Sequence, residues 1–222
     1  EALQKELNPD LEIKLIKLKL TNDKTNQNNN SINKYSGNLE KISKFKFSKI
    51  EYFDQYEPEI IFEKESIIFF DNKGAIIKFD KNSDLIWKKN YYSKQEKKKN
   101  PFLFFSKHEN RLIVVDTVSR YYAVDINNGK LLWSLYNDAP FMSDVKIEND
   151  KIFAVDSNNV LKCFSLKDGS LIWEYISESS TIKSSKKISI AIDDNKVLFN
   201  NSVGDINAVD IDTGNLVWTT PT

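Results

Sequence analysis

The four tryptophans of this 222-residue chain recur at a nearly fixed interval, and this repeat constrains the fold most strongly. Successive tryptophans are 46, 40 and 45 residues apart, at positions Trp87, Trp133, Trp173 and Trp218. Three of the units carry a glycine four residues before the tryptophan, namely Gly129, Gly169 and Gly214, and the first unit has Ser83 there in a shorter turn. A period of 20 to 50 residues is typical of repeat architectures, so an array of similar units is predicted.

Each unit has the composition of short strands joined by turns. Runs rich in Ile, Val, Phe and Tyr, such as 111–116 and 151–156, are followed by turn residues, a second run, another turn and the tryptophan-bearing run. A further candidate strand precedes each pair, at 59–65, 102–108, 141–148 and 188–194. Four short antiparallel strands in about 40 to 46 residues are typical of a propeller blade. We therefore predict an all-β propeller of four-stranded blades, with four blades visible in a ring of seven or eight.

The first 48 residues lack the period and are predicted to form an arm and a linker. Residues 11–20 alternate apolar residues with lysine, and residues 21–33 are too rich in asparagine to pack a core. Residues 42–50 alternate again and are the candidate strand that closes the ring. The predicted domains are therefore the arm, 1–48, and four blades, 49–222.

The composition argues against several classes of function. Lys and Arg equal Asp and Glu at 32 each, which gives no overall positive field for nucleic acid. One cysteine, Cys163, and one histidine, His108, cannot build a zinc site rich in histidine or cysteine, and the six glycines form no phosphate-binding loop. Cys163 is expected to be a packed thiol rather than a nucleophile. No cofactor and no metal site are predicted, and no apolar run is long enough to span a membrane.

The repeated spacing within the units has a physical explanation. A glycine in a tight hairpin turn allows positive φ, and Asp125 and Asp210 can accept hydrogen bonds from backbone amides of the turn. One tryptophan per unit is best placed between blades, so Trp133 and Trp173 are expected to be buried there. The alternative role for these tryptophans is stacking on a ligand.

The repeats resemble a known family at specific positions. The segments AVDINNGKLLW (123–133) and AVDIDTGNLVW (208–218) match the Ala-x-Asp-x-x-x-Gly-x-x-x-Trp tail of the pyrroloquinoline-quinone-type propeller repeat. The resemblance covers about residues 59–222. Ser165 at the Asp position, and Cys163 and Lys78 at the Ala position, depart from the pattern.

The resemblance implies one of two functions. Quinoprotein dehydrogenases with this repeat bind a quinone and calcium at the ring centre and commonly carry adjacent cysteines and inserted loops, which this sequence lacks. The chain is more similar to the non-catalytic branch, and above all to the propeller lipoprotein of the bacterial outer-membrane β-barrel assembly machinery. That similarity implies a scaffold on the periplasmic face of the outer membrane, which binds the barrel-inserting subunit and unfolded outer-membrane proteins. The alternative is a quinone-dependent dehydrogenase or a fragment of one.

Aromatic residues close to prolines, at the predicted ends of blades, are the candidate partner-binding residues. They are Tyr91, Tyr92, Phe102, Tyr136 and Phe141. Packing between blades is the alternative role for each of them. The basic cluster at 94–99 is expected to be a solvated loop, with contact to an acidic partner or to lipid headgroups as the alternative.

The predicted blades also lead to an expectation about association. A blade is apolar on both faces, so four blades would leave the first and last faces uncovered unless they close into a ring, and large exposed apolar patches drive association. We expect self-association, with two copies paired face to face as one form, or a compact four-bladed ring. Light scattering coupled to gel filtration separates these states. An open, elongated monomer in solution scattering would contradict both.

Overall fold

The computed structural model describes residues 60–63, 65–178 and 186–220, which form four antiparallel sheets of four strands each. Blade 1 comprises β1 Ile61–Phe62, β2 Ser66–Phe70, β3 Ile76–Asp80 and β4 Leu85–Lys89. Blade 2 comprises β5 Leu103–His108, β6 Arg111–Asp116, β7 Arg120–Asp125 and β8 Leu131–Tyr136. Blade 3 comprises β9 Lys146–Glu148, β10 Lys151–Val155, β11 Val160–Ser165 and β12 Leu171–Ile176. Blade 4 comprises β13 Ile190–Asp193, β14 Lys196–Asn200, β15 Ile206–Asp210 and β16 Leu216–Thr220.

The strands of each blade follow one another in sequence order, as in a meander. This arrangement confirms the prediction of an all-β propeller with four-stranded antiparallel blades. The only helix among the described residues is α1, Lys94–Lys98, in the connection between blades 1 and 2. The predicted arm and closing strand, and residues 49–59 of the predicted blade region, lie outside the described residues.

Two of the predicted first strands are shorter than expected. Among the described residues of the run at 59–65 only Ile61–Phe62 form a strand, and the run at 141–148 yields only Lys146–Glu148. The second difference has a clear cause, because Phe141 forms an isolated bridge with Asp156 and Ser143 forms one with Ile188. The start of this run therefore joins two other segments instead of pairing continuously within its own blade.

The core lies in the middle strands of the blades. Leu112 to Asp116 of β6 and Arg120 to Val124 of β7 are all buried, whereas most residues of the outermost strand β8 are partly or fully exposed. Middle strands have a neighbouring strand on each side and side chains of adjacent blades on their faces. Only the outermost strands lie at the rim, and the burial gradient follows from that position.

Antiparallel meanders place their loops on two opposite faces. The turns between second and third strands, together with the segments that link blades, form what we call the connection face. The turns between third and fourth strands, which contain the repeated glycines, lie on the other side, which we call the glycine-turn face.

The turns of the connection face are built around one side-chain oxygen in each blade. Asp116 Oδ1 accepts from the amides of Val118 and Arg120 at 2.8 and 2.9 Å. The equivalent residues of blades 1, 3 and 4, namely Asp71, Asp156 and Asn201, accept from amides two and four residues ahead in the same way. Such local hydrogen bonds fix the turn without help from another blade.

On the glycine-turn face, each glycine receives the tryptophan of the preceding blade. Gly129, Gly169 and Gly214 have φ of +68°, +78° and +74°. A Cβ atom at Gly169 would lie 2.8 Å from Cε3 of Trp133. Trp87 packs on Gly129 and Trp173 on Gly214 in the same way, with corresponding Cε3 distances of 2.9 and 2.8 Å. We call each of these contacts a Trp–Gly junction.

A backbone carbonyl completes each junction. The indole of Trp87 donates to the carbonyl of Ile126 at 3.1 Å, and that of Trp173 donates to the carbonyl of Ile211 at 3.3 Å. At the middle junction, Arg111 Nη1 donates to the carbonyl of Leu166 at 2.9 Å, and the indole N–H of Trp133 is buried without a hydrogen-bond partner in the described part of the chain.

The tryptophans differ in burial, and this corrects one expectation. Trp87 is 7% exposed and Trp218 is 40% exposed, whereas Trp133 and Trp173 are half-buried rather than buried. The outermost strands lie at the rim, so the next blade covers one side of Trp133 and Trp173 and solvent reaches the other. Trp218 lies on β16, where no described blade follows to cover it.

The junction geometry predicts different effects on stability for two substitutions at equivalent positions. Gly169→Ala should lower the free energy of unfolding by about 2 to 4 kcal/mol, because it combines a left-handed backbone with overlap against Trp133. Ser83 already has φ of +74° at the same place in blade 1. Ser83→Gly should change the free energy of unfolding by less than about 1 kcal/mol. Glycine adopts this left-handed backbone without strain, but it also gives the unfolded chain more conformational freedom, and the two effects offset each other. Urea unfolding midpoints measure the stability of both variants. Equal losses of stability in the two variants would contradict the Trp–Gly contact.

Candidate interaction surface

The junction between blades 1 and 2 contains a partly buried ion network in addition to its Trp–Gly contact. Glu63 accepts from Lys78 at 2.7 Å and from Lys107 of blade 2 at 2.9 Å. Burial opposes the ionisation of Glu63, but hydrogen bonds from Lys78, Lys107 and Ser66 outweigh it and lower its pKa to about 2. Lys78 Nζ also donates to the carbonyl of Ile126 at 3.1 Å. The lysine that departs from the Ala position of the repeat therefore links the two blades.

The connection face of blade 2 is organised around a buried arginine. Arg120 is 8% exposed, and its guanidinium carbon lies 5.5 to 5.6 Å from the ring centroids of Tyr92, Tyr122 and Tyr136. Its Nε donates to Ser134 Oγ at 2.8 Å, and its Nη1 donates to the carbonyl of Tyr91. Cation–π contacts of this kind stabilise desolvated guanidinium groups. Arg120 thus fastens the segment that links blade 1 to blade 2 onto the turn of blade 2.

Asp116 lies beside this arginine cluster and is fully buried. Its Oδ2 accepts from the hydroxyl of Tyr92 at 2.5 Å, and that hydroxyl lies 3.3 Å from the hydroxyl of Tyr122. Burial raises the pKa of Asp116 to about 6, although the hydrogen bonds from Tyr92 and from the backbone amides favour the ionised form.

The structure separates the five predicted partner-binding residues into two groups. Tyr92, Phe102 and Phe141 are buried in the core, which corrects their assignment to a surface, because their side chains cannot reach a partner. Tyr91 is half-buried, and its hydroxyl donates to the carbonyl of Gly129 at 2.5 Å. Tyr136, at the end of β8, is 64% exposed and is the member of the set most accessible to a partner.

Exposed apolar residues other than Tyr136 also lie on the connection face. Ile176 ends β12 at the position that corresponds to Tyr136, and Val203 lies in the turn between β14 and β15. Sequence reasoning missed both, because their signal is only an apolar residue at the end of an outer strand or inside a turn. We call Tyr136, Ile176 and Val203 the connection-face apolar set.

The basic segment between blades 1 and 2 forms the short helix α1, where a solvated loop was expected. Ser93 and Glu96 form a capping box, in which the Ser93 amide donates to Glu96 Oε2 at 2.7 Å. The other oxygen of Glu96 accepts from the hydroxyl of Tyr136 at 2.9 Å. No residue of α1 is buried, so the helix lies entirely on the surface.

The described residues do not fit a quinone and calcium site. Among them there is no group of three or more His, Cys, Asp or Glu side chains that could hold a metal ion. Cys163 is buried within β11, and burial raises the pKa of its thiol to about 12, which makes it a poor nucleophile. The oxygens of the buried Asp116 are already engaged by Tyr92 and by turn amides. Asp210 binds its own turn through Thr213 and the Asp212 amide.

The blade repeat and these junctions match a known protein family. Residues 61–222 match the family described as outer membrane protein assembly factor BamB. The chain belongs to this family. No curated protein matches the sequence. The part of the chain that the structure describes contains no helix long and apolar enough to cross a membrane.

Solved structures share the propeller fold at low sequence identity. BamB from Moraxella catarrhalis aligns with a TM-score of 0.62 and 17% identity over 75% of this chain. This chain spans about half of that protein, 51%. A quinohemoprotein alcohol dehydrogenase from Pseudomonas putida aligns with a TM-score of 0.59 and 15% identity, over 73% of this chain and 33% of the enzyme. The computationally designed Ika4 protein gives a TM-score of 0.57 and 12% identity, with 73% and 96% covered.

The raised pKa of Asp116 predicts a specific dependence of stability on pH. Its ordinary pKa is about 4, so between about pH 4 and pH 6 the folded chain holds this proton more tightly than the unfolded chain. The contribution of Asp116 to stability therefore falls as pH rises through that window. Asp116→Asn, which reproduces the residue type of Asn201 in blade 4, should gain about 2 kcal/mol relative to the parent between pH 4 and pH 7.

A second substitution tests the cause of this shift. Tyr92→Phe removes a hydrogen bond that favours the ionised carboxylate, so it should raise the pKa of Asp116 further. The loss of stability with rising pH should then continue to higher pH. Urea unfolding at several pH values measures all three proteins. Parallel stability curves for the parent and Asp116→Asn would contradict the assignment.

Proposed function

We propose that this chain is a non-catalytic propeller scaffold of outer-membrane protein assembly. In this role it lies on the periplasmic face of the outer membrane and binds the barrel-inserting subunit of the machinery. The match of residues 61–222 to the BamB family carries the proposal. The failure of the described residues to fit a quinone and calcium site supports it.

The internal use of polar groups favours a scaffold over an enzyme. The ionised Glu63 is engaged by Lys78 and Lys107, and the buried Asp116 is engaged by Tyr92 and by turn amides. These contacts hold the blades and turns in place. They engage the side chains that could otherwise react at an open site. A rigid array of blades with exposed loops on one face can instead present a surface to a partner.

The connection-face apolar set is the proposed contact surface for the barrel-inserting subunit. Tyr136, Ile176 and Val203 are all exposed, and they belong to three consecutive blades. The outermost strands β4, β8, β12 and β16 also end their sheets, so they can pair with extended segments of unfolded outer-membrane proteins. Contact through the connection-face apolar set gives a stable complex with the barrel-inserting subunit. Strand pairing at the outermost strands gives transient capture of an unfolded outer-membrane protein.

Binding to the purified periplasmic domains of the barrel-inserting subunit tests the proposal. The combined variant Tyr136→Ser, Ile176→Ser and Val203→Ser should weaken binding at least about tenfold, because exposed apolar anchors commonly dominate such interfaces. The matched control is Leu85→Ser, Leu171→Ser and Leu216→Ser, which removes exposed apolar residues near the glycine-turn face and should leave binding unchanged. Absence of binding by the parent chain would overturn the proposed partner.

A separate measurement tests the dehydrogenase alternative. The purified chain is supplied with pyrroloquinoline quinone and calcium, and alcohol-dependent dye reduction is recorded. We expect no turnover, because the described residues provide no donor set for the metal. Stoichiometric quinone binding with turnover would replace the scaffold proposal with the dehydrogenase one.

A further inference from the structure

The link between blades 1 and 2 concentrates positive charge on one part of the connection face. Six lysines and a single acid lie between residues 88 and 99, from the end of β4 to the end of the link, and only Lys88 among these lysines forms an ion pair with a described residue, Asp71, at 3.0 Å. The acid is Glu96, and both of its oxygens are engaged, one by the Ser93 amide and the other by the hydroxyl of Tyr136. Lys94, Lys98 and Lys99 are exposed, and none of them forms an ion pair with another residue that the structure describes. The chain as a whole has no net charge, so this local excess is not a consequence of composition.

The lysines are displayed on a support that is already ordered. The capping box of Ser93 and Glu96 fixes the start of α1, and Tyr136 anchors it to β8. Arg120 holds the carbonyl of Tyr91 just before the helix, and Lys73 Nζ donates to Asn100 Oδ1 at 3.1 Å just after it. A ligand would therefore not have to order this backbone when it binds, which lowers the entropic cost of association.

We propose that α1 and its flanking lysines form a contact site for an anionic phospholipid surface. No residue of the helix is buried, so the site is a raised basic surface rather than a cleft. The cations at 88–99 are all lysines, which act as point charges and suit a diffuse anionic surface, whereas arginine forks suit fixed carboxylate pairs. Tyr136, which is 64% exposed beside the helix, is the kind of side chain that is enriched at membrane–water interfaces.

An acidic protein segment is the competing partner, and the geometry favours it less. Specific recognition of a peptide commonly uses side-chain pockets or paired hydrogen bonds that fix its register. Lys94, Lys98 and Lys99 carry their charges on long side chains at and just after a helix without buried residues, and they supply attraction without a register. A lipid surface requires only that attraction.

Vesicle co-sedimentation of the full chain tests the proposal. The vesicles contain phosphatidylcholine alone, or phosphatidylcholine with about one third phosphatidylglycerol. The parent chain should bind the anionic vesicles, should bind the neutral ones much less, and should be released by about 0.5 M salt, because salt screens exposed charges. The variant Lys94→Gln, Lys98→Gln and Lys99→Gln should lose at least about tenfold in affinity, since each lysine near an anionic surface contributes a factor of about five.

The matched control removes three exposed lysines from the glycine-turn face. Lys81→Gln, Lys130→Gln and Lys167→Gln change the total charge by the same amount on the opposite side of the blades. This control should bind anionic vesicles as the parent does. Equal binding by the α1 variant and the parent, or an equal loss in the control, would overturn the proposal.

Binding of polyglutamate without binding of anionic vesicles would also overturn it and would assign the surface to an acidic protein partner. Vesicle binding is measured without the barrel-inserting subunit, so its outcome is independent of the proposed protein partner.

Discussion

The contact between an indole ring and a glycine of the following blade is the interaction on which this structure depends. A Cβ atom at Gly129, Gly169 or Gly214 would lie within 3 Å of the preceding tryptophan, so no other residue fits without displacement. The same turn supplies the carbonyl that receives a donor from the preceding blade, as Ile126 does for both Trp87 and Lys78. One short segment therefore sets the spacing of two blades and satisfies buried polar groups at their boundary.

Side-chain hydrogen bonds hold the turns on both faces of the blades, but an indole of the preceding blade packs on the turn only at the repeated glycines. On the glycine-turn face the turns are occupied by contacts to the preceding blade. On the connection face, Asp71, Asp116, Asp156 and Asn201 hold their turns through local hydrogen bonds to the backbone. Those turns do not need a neighbouring blade for their shape. Side chains such as Tyr136 and Val203 therefore remain exposed without weakening the junctions.

The blade architecture could be predicted from the sequence because its signals are local and repeated. The spacing of the tryptophans and glycines predicted the four-stranded blades, and the resemblance of segments 123–133 and 208–218 to the repeat tail indicated the family; both are confirmed. A further regular signal was missed: Asp116, Asp156 and Asn201 each lie seventeen residues before the tryptophan of their unit. The position is occupied by Asp or Asn, whose side chains accept hydrogen bonds from the backbone amides of turns.

The candidate surface was harder to predict because its residues are placed by long-range packing. Aromatic residues beside proline, such as Phe102 and Phe141, occur both at binding surfaces and at buried strand ends, and here they are buried. The contacts of Arg120 join Tyr122 of its own strand to Tyr92 of the link and Tyr136 of β8, and no local pattern indicates that the last two meet it. The engagement of Glu96 by Tyr136 likewise joins residues forty positions apart.

The Trp–Gly junctions also give the array a direction. Trp87, Trp133 and Trp173 each contact the glycine turn of the blade that follows. A substitution at one glycine turn therefore acts on the outer strand of the preceding blade as well as on its own blade.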